Sequence, residues 1–218
     1  RRQRKLDKAL EVIEECRGIR VRTLGHDHCS VAEIHEISGK VRLEQGNFLE
    51  SMLSFDRAKR IYRTRLGPES WEAAQAAVCV GIAQDELGQL DSAISQYEEA
   101  LKVLESFQDT LNASRCVNNL ATIHRKKGDF TQALTLLQKT KASFALSVGE
   151  TSLEFAGILR NIGNAYFGLE QWQSAQAEWE AATGTYCGLL VLARRTDGCQ
   201  PNVTQCALRE AMHDERRS

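Results

Sequence analysis

The chain repeats itself. The stretches "LEQGNFLESMLSFDRAKRIY", "DELGQLDSAISQYEEALKVL", "RKKGDFTQALTLLQKTKASF" and "FGLEQWQSAQAEWEAATGTY" align on Gly46, Gly88, Gly128 and Glu170, spaced 42, 40 and 42 residues apart. A near-constant period of this length means stacked copies of one supersecondary unit, each too small to bury its own apolar face. A further 42 residues before Gly46 stands Arg4, and "RKLDKALEVI" continues the pattern as a truncated first copy.

Each copy reads as two helices around a tight turn. A small residue recurs seven positions before the turn (Gly39, Gly81, Ala121, Gly163) and another five positions after it (Ser51, Ala93, Ala133, Ala175). Small residues on facing helices let two backbones approach closely. Nine positions after the turn comes a bulky knob, Phe55, Tyr97, Leu137 or Trp179, and three later a small residue returns at Ala58, Ala100, Thr140 and Ala182. Spacings of three and four place these on one helical face. Glycine at the turn suits the left-handed conformation that ends a helix, so the copy with Glu170 is expected to build its turn differently.

The copies are joined by "LGHDHCSVAE", "LGPESWEAAQ" and "VGETSLEFAG", which match at Gly25, Gly67 and Gly149. The link at "FQDTLNAS" lacks the glycine and is shorter, which accounts for the one spacing of 40. Ser30-x-x-Glu33 and Thr151-x-x-Glu154 are capping-box patterns expected to open the following helices. The first joint also carries His26, His28, Cys29 and His35. These read as solvated loop residues rather than zinc ligands: no other copy shares them, and a spacing of two does not put two ligands on one helical face.

Composition narrows the function. The 218 residues hold two prolines, 42% hydrophobic and 26% charged residues, and a net charge of -1. That gives no reason to expect nucleic acid or an anionic membrane as the partner, and no apolar stretch is long enough to span a bilayer. The seven cysteines (16, 29, 79, 116, 187, 199, 206) form no CxxC pair and read as reduced, mostly small core residues. Two sequons, at Asn112 and Asn202, are of a kind that arises by chance. The opening "RRQRKLDKALEVI" starts inside a helical pattern without an initiator Met, which suggests a piece of a longer protein. Reduced thiols and no signal peptide favour a cytoplasmic location. No phosphate loop, nucleophile elbow, HExxH or dinucleotide fingerprint occurs, so the chain is read as no enzyme, with no cofactor and no metal.

Small-residue positions, a bulky knob and a helix–turn–helix unit resemble tetratricopeptide repeats. "LGHDHCSVA", "NNLATIHRKKGDFTQAL" and "RNIGNAYFGLEQWQSA" are similar to the 42-residue repeats of kinesin light chains, over about residues 5 to 186. Two departures stand out: Cys29 replaces the family's usual proline, and the Asn run is missing from the first two repeats. The resemblance implies an all-α fold, a right-handed α-solenoid of antiparallel helix pairs whose first helices line a concave groove. Residues 1–186 form the array, a partial first repeat and then four helix pairs. Residues 187–218 read as a helix extension, a loop around Gly198 and Pro201, and a C-terminal capping helix.

On the groove face, helical spacing offers Arg115, Asn118, Asn119, Thr122 and Arg125 in the third repeat, and Gly157, Arg160, Asn161 and Asn164 in the fourth. By resemblance, Asn119 and Asn161 match the family position that hydrogen-bonds the backbone of a bound peptide. Amides offer both donor and acceptor for this, and the arginines would attract carboxylates. The alternative for all of them is a solvated helix face. The first two repeats carry Glu33, Glu36, Ile37 and Lys40, then Gln75, Cys79, Ile82 and Asp85, so a partner is expected to be acidic only toward the third and fourth repeats. Trp172 and Trp179 read as structural; Trp71, in a joint, reads as an exposed anchor for a partner or, the favoured alternative, as packed on the next helix. The function expected is a peptide- or protein-binding scaffold. The runner-up is a subunit packed permanently in a large assembly, favoured slightly by Leu189 to Leu192. A third reading is the regulatory end of a multidomain enzyme.

Overall fold

The computed structural model describes residues 2–196, with side chains as far as Leu189. Among them the chain forms helices and no strand: α1 (Arg2–Leu24), α2 (Cys29–Glu44), α3 (Phe48–Leu66), α4 (Trp71–Glu86), α5 (Leu90–Ser106), α6 (Thr110–Lys126), α7 (Phe130–Ser147), α8 (Leu153–Gly168) and α9 (Trp172–Thr196). Each helix packs against the next, and α6 also packs on α8. The pairs are α2/α3, α4/α5, α6/α7 and α8/α9, with α1 as the second helix of a truncated pair. The loop and capping helix expected beyond residue 196 lie outside the described residues.

The small residue before each turn receives the knob after it. A Cβ added to Gly39 would meet the Phe55 ring at 2.7 Å, one on Gly81 the Tyr97 ring at 2.9 Å, and one on Gly163 the Trp179 indole at 2.5 Å. The third repeat has Ala121 at this position and the narrower Leu137 as its knob, and the two share one core cluster. Phe55, Tyr97 and Leu137 are each only 1% exposed. Ser51 fixes the approach from the other side, its hydroxyl donating to the Gly39 carbonyl at 2.8 Å. Between pairs the core continues: Phe144 of α7 stacks on Phe155 of α8, with ring centroids 6.3 Å apart.

The turns correct one expectation. Glu170 takes φ 59°, next to 79°, 73° and 83° at Gly46, Gly88 and Gly128. Its amide donates to the Phe167 carbonyl and the Gln171 amide to the Tyr166 carbonyl, as Gly46 and Asn47 donate to Leu43 and Arg42. Glu170 thus builds the glycine turn itself, because the two hydrogen bonds that close the helix demand a left-handed residue. The shorter link does likewise: Gln108 at φ 55° donates to Glu105, and Asp109 to Leu104. The α5–α6 joint is therefore closed like the turn inside a pair.

Both capping boxes are also displaced. The N-cap of α2 is His28, whose Nδ1 accepts from the Ser30 amide at 3.1 Å, while Glu33 is drawn to Arg20 of α1 at 2.9 Å. The N-cap of α8 is Ser152, whose hydroxyl accepts from the Phe155 amide at 3.1 Å. In each case the acidic residue is engaged one repeat away instead of at its own helix end.

Polar side chains reach from one repeat to the next. Arg63 meets Glu99 at 2.9 Å, Lys126 meets Asp85 at 2.6 Å, Lys127 meets Asp91 at 2.6 Å and Lys141 meets Glu178 at 2.8 Å. Lys59 donates to Gln96 at 2.7 Å. These partners are 36 to 41 residues apart, close to one period. Equivalent faces of successive repeats are thus tied side by side along the rims.

A candidate partner-binding face

The first helices of the pairs, α2, α4, α6 and α8, form one layer, and polar side chains meet across its seams. Lys126 of α6 reaches Asp85 of α4, and Arg115 of α6 reaches Glu154 of α8 at 2.8 Å. Between α6 and α8, the Asn161 amide nitrogen donates to the Asn118 side-chain oxygen at 3.1 Å. Gly157 lies beside the bridge, where a Cβ would meet the Asn118 amide nitrogen at an ordinary 4.0 Å. The bridging amides are half-buried, so both are held in one orientation while their remaining donor and acceptor positions stay open.

The other residues singled out from sequence divide by what they touch. Asn119 hydrogen-bonds the Tyr97 hydroxyl; burial pushes that hydroxyl far above its ordinary pKa and this bond opposes the shift. Thr122 donates to the Asn118 carbonyl of its own helix at 2.9 Å. Asn164 accepts from the Trp179 indole at 3.2 Å, anchoring the knob of the last pair. Arg125 is half-buried and has no carboxylate partner among the described residues. Arg160 lies half-buried between Asn161 and Gly157 in sequence register, on the face that α6 meets.

Toward α2 and α4 the layer changes character. Val78, Cys79 and Ile82 of α4 are partly buried and apolar, and Ile37 of α2 is 47% exposed. Glu36 sits against them: burial raises its carboxyl pKa, Lys40 opposes the rise, and Glu33 and Glu72 add to it. Burial likewise pushes the Cys79 thiol up to about 11. Gln75, in register with Arg115 and Gly157, holds its amide nitrogen buried without a hydrogen-bond partner. The sequence reading passed over it as one polar residue among several.

Outside this layer, Trp71 departs from its expected core packing. It opens α4, stays 38% exposed, and its indole nitrogen donates to the Asp109 carboxylate at 2.8 Å. With Leu66 at 48% and Phe107 at 54% exposed, it forms an apolar ledge at the joints, lined also by Pro68, Glu69 and Glu72. Among the described cysteines Cys116 is buried, Cys16, Cys29 and Cys79 are half-buried and Cys187 is exposed. No group of three or more His, Cys, Asp or Glu side chains converges among the described residues. No described helix is long and apolar enough to cross a membrane.

A family model for the tetratricopeptide repeat matches residues 114–144, the stretch that forms most of α6 and α7. That stretch is a tetratricopeptide repeat. The tetratricopeptide array is 28% identical over 97 residues to the human outer dynein arm-docking complex subunit 4, a match covering 44% of this chain and 14% of that protein. The chain therefore spans about a seventh of that relative's length. Among solved structures, a crystal structure of the tetratricopeptide-like repeats of a putative kinesin light chain from Podospora anserina superposes with a TM-score of 0.75 at 18% identity, over 87% of this chain and 91% of that one. The array thus has the kinesin light chain-like solenoid fold. A second neighbour, the Rap conjugation regulator of plasmid pLS20 in complex with the Phr* peptide, superposes with a TM-score of 0.65 at 20% identity, over 90% of this chain and 51% of that one.

Proposed function

We propose that the array is a non-catalytic scaffold that takes an extended segment of a partner protein along the layer of first helices. The observation that carries this reading is the Asn118–Asn161 bridge, held over Gly157 and flanked by Arg115, Arg125 and Arg160. Two oriented amides suit the alternating donors and acceptors of an extended backbone, and the arginines suit carboxylates on either side of it. The partner is acidic where it crosses α6 and α8, and apolar where it reaches Val78, Cys79 and Ile82. One structural neighbour holds a peptide, which supports the class of ligand.

The test is fluorescence anisotropy with labelled acidic peptides, using the whole chain and its Asn161→Ala and Arg125→Gln variants. Binding weakened about tenfold in each variant, with unchanged circular dichroism, supports the groove. Equal binding by all three proteins rejects it.

A second reading has its own support. The ledge of Leu66, Trp71 and Phe107 is an exposed apolar surface away from the groove, and one relative is named as a subunit of a docking complex. On this reading the array is an assembly subunit that packs its joints against a folded partner. Partner capture lost on Trp71→Ser but kept on Asn161→Ala would favour it.

A further inference from the structure

The histidine-rich joint between α1 and α2 borders a cavity of about 330 Å³ that the groove does not use. Its walls come from three helices and the joint: Arg17 of α1, His26 and Asp27 of the joint, His35 of α2, and Arg57, Arg60, Ile61 and Thr64 of α3. Three guanidinium groups and two imidazoles thus face one carboxylate. Arg57 and Arg60 are exposed and neither has a carboxylate partner among the described residues. Arg17 spends one nitrogen on Glu14, at 2.7 Å. Asp27 is partly engaged in the same neighbourhood, its backbone carbonyl accepting from Arg65 at 3.0 Å.

The cluster belongs to this repeat alone. In the same register as Arg57 and Arg60 stand Glu99 and Lys102, Lys139 and Ala142, and Ala181 and Gly184. Of the charges that recur, Glu99 is paired with Arg63 at 2.9 Å and Lys139 with Glu105 at 4.0 Å, and Lys102 is the lone basic residue of its helix pair. Unneutralised arginines around a concavity are costly for the fold, because like charges repel, and they are therefore candidates for a ligand's counter-charge. The field also excludes the cation that the histidines first bring to mind. Burial lowers the His35 pKa, and Arg57, Arg17 and Arg42 lower it further against Glu14. The charge of the same arginines opposes a divalent metal there.

We propose that this cavity is an anion site for a phosphoryl group. The planar forks of Arg57 and Arg60, three positions apart on α3, suit two oxygens each of a tetrahedral dianion. The Thr64 hydroxyl spends its proton on the Arg60 carbonyl at 2.8 Å, so the arginines supply the donors. His35 takes up a proton when the anion enters, since a nearby negative charge favours imidazolium. The phosphoryl group belongs either to a phosphorylated side chain of a partner or to a free phosphate ester, and both present this chemistry.

The experiment is isothermal titration of the whole chain at constant ionic strength with three probes: inorganic phosphate, glycerol phosphate, and a Gly-phosphoserine-Gly peptide beside its unphosphorylated form. The expected result is phosphate-dependent binding that weakens at least about tenfold in Arg57→Gln/Arg60→Gln. Both arginines are exposed, so the variant keeps its fold, which circular dichroism checks. Arg63→Gln, which removes the Glu99 partner one turn away, leaves binding unchanged. Peptide binding tighter than glycerol phosphate assigns the site to a partner's phosphorylated residue, and equal binding assigns it to a free ester. Binding that survives the double variant, or that the unphosphorylated peptide equals, overturns the proposal. Asn161→Ala does not affect this titration, so its outcome is separate from that of the groove.

Discussion

The fit between small residue and knob is tested most sharply at Gly39. Changing Gly39 to Ala puts a methyl carbon 2.7 to 2.9 Å from three ring atoms of Phe55, where carbon atoms ordinarily rest about 3.5–4.0 Å apart. The ring is 1% exposed and has no open side to move into. Overpacking of this kind costs ~1–3 kcal/mol, and the better helix propensity of Ala offsets ~1 kcal/mol of it. A net loss of up to ~2 kcal/mol is expected. In a Phe55→Leu background the pair becomes that of Ala121 and Leu137, which coexist in the third repeat. There the propensity gain survives and the same change stabilises by ~0.5–1 kcal/mol. The coupling between the two positions is thus ~2 kcal/mol, read from a double-mutant cycle by urea unfolding followed at 222 nm. A coupling below ~0.5 kcal/mol would show that the glycine is not there for the ring, and the register argument would fall.

Further outcomes follow from particular residues. Glu170→Gly removes the left-handed cost of a side-chain-bearing residue at φ 59° and raises stability by ~1 kcal/mol, whereas Glu170→Ala gives no such gain. Among the described cysteines, thiol titration of the native chain labels Cys187 first and leaves Cys116 and Cys79 unmodified at pH 8, since burial pushes their thiols up to about 12 and about 11; labelling of Cys116 at the rate of Cys187 would refute the packing of α6 on α5. His35 has a folded pKa below its unfolded value, so the unfolded chain binds a proton first and stability falls as pH drops below 6.5. Thermal unfolding between pH 7 and pH 5.5 checks this: the decline is shallower in His35→Gln, and an equal decline in both proteins removes His35 as its source.

How much was legible follows the range of each interaction. The knob and its glycine lie sixteen residues apart within one hairpin, Gly39 with Phe55 and Gly81 with Tyr97, and helical periodicity exposes that pairing directly. The turns were legible in position but not in tolerance. Glycine looked necessary, yet Gln108 and Glu170 adopt the left-handed state because two backbone hydrogen bonds there outweigh the strain. The caps were misplaced because Glu33 and Glu154 have better partners, Arg20 and Arg115, on neighbouring helices. Similarly, the asparagines were found on the right helices, but Asn118 with Asn161 and Asn164 with Trp179 are pairings only the packed layer decides. Arg57 and Arg60 carry a faint signal, two arginines on one face of α3, which acquires meaning only when His26 of the joint and His35 of α2 line the same cavity.

The ion pairs along the rims give the array a mechanical character. Its core is a continuous apolar seam, while its edges are held by pairs such as Arg63–Glu99 and Lys127–Asp91, each spanning about one period and each open to water. Salt screens exposed charges and leaves buried contacts nearly untouched. The molecule is therefore a spring with a salt-insensitive axis and salt-sensitive edges. Raising ionic strength softens its pitch without unfolding it, and the aperture available to a partner widens or narrows with the solution around it.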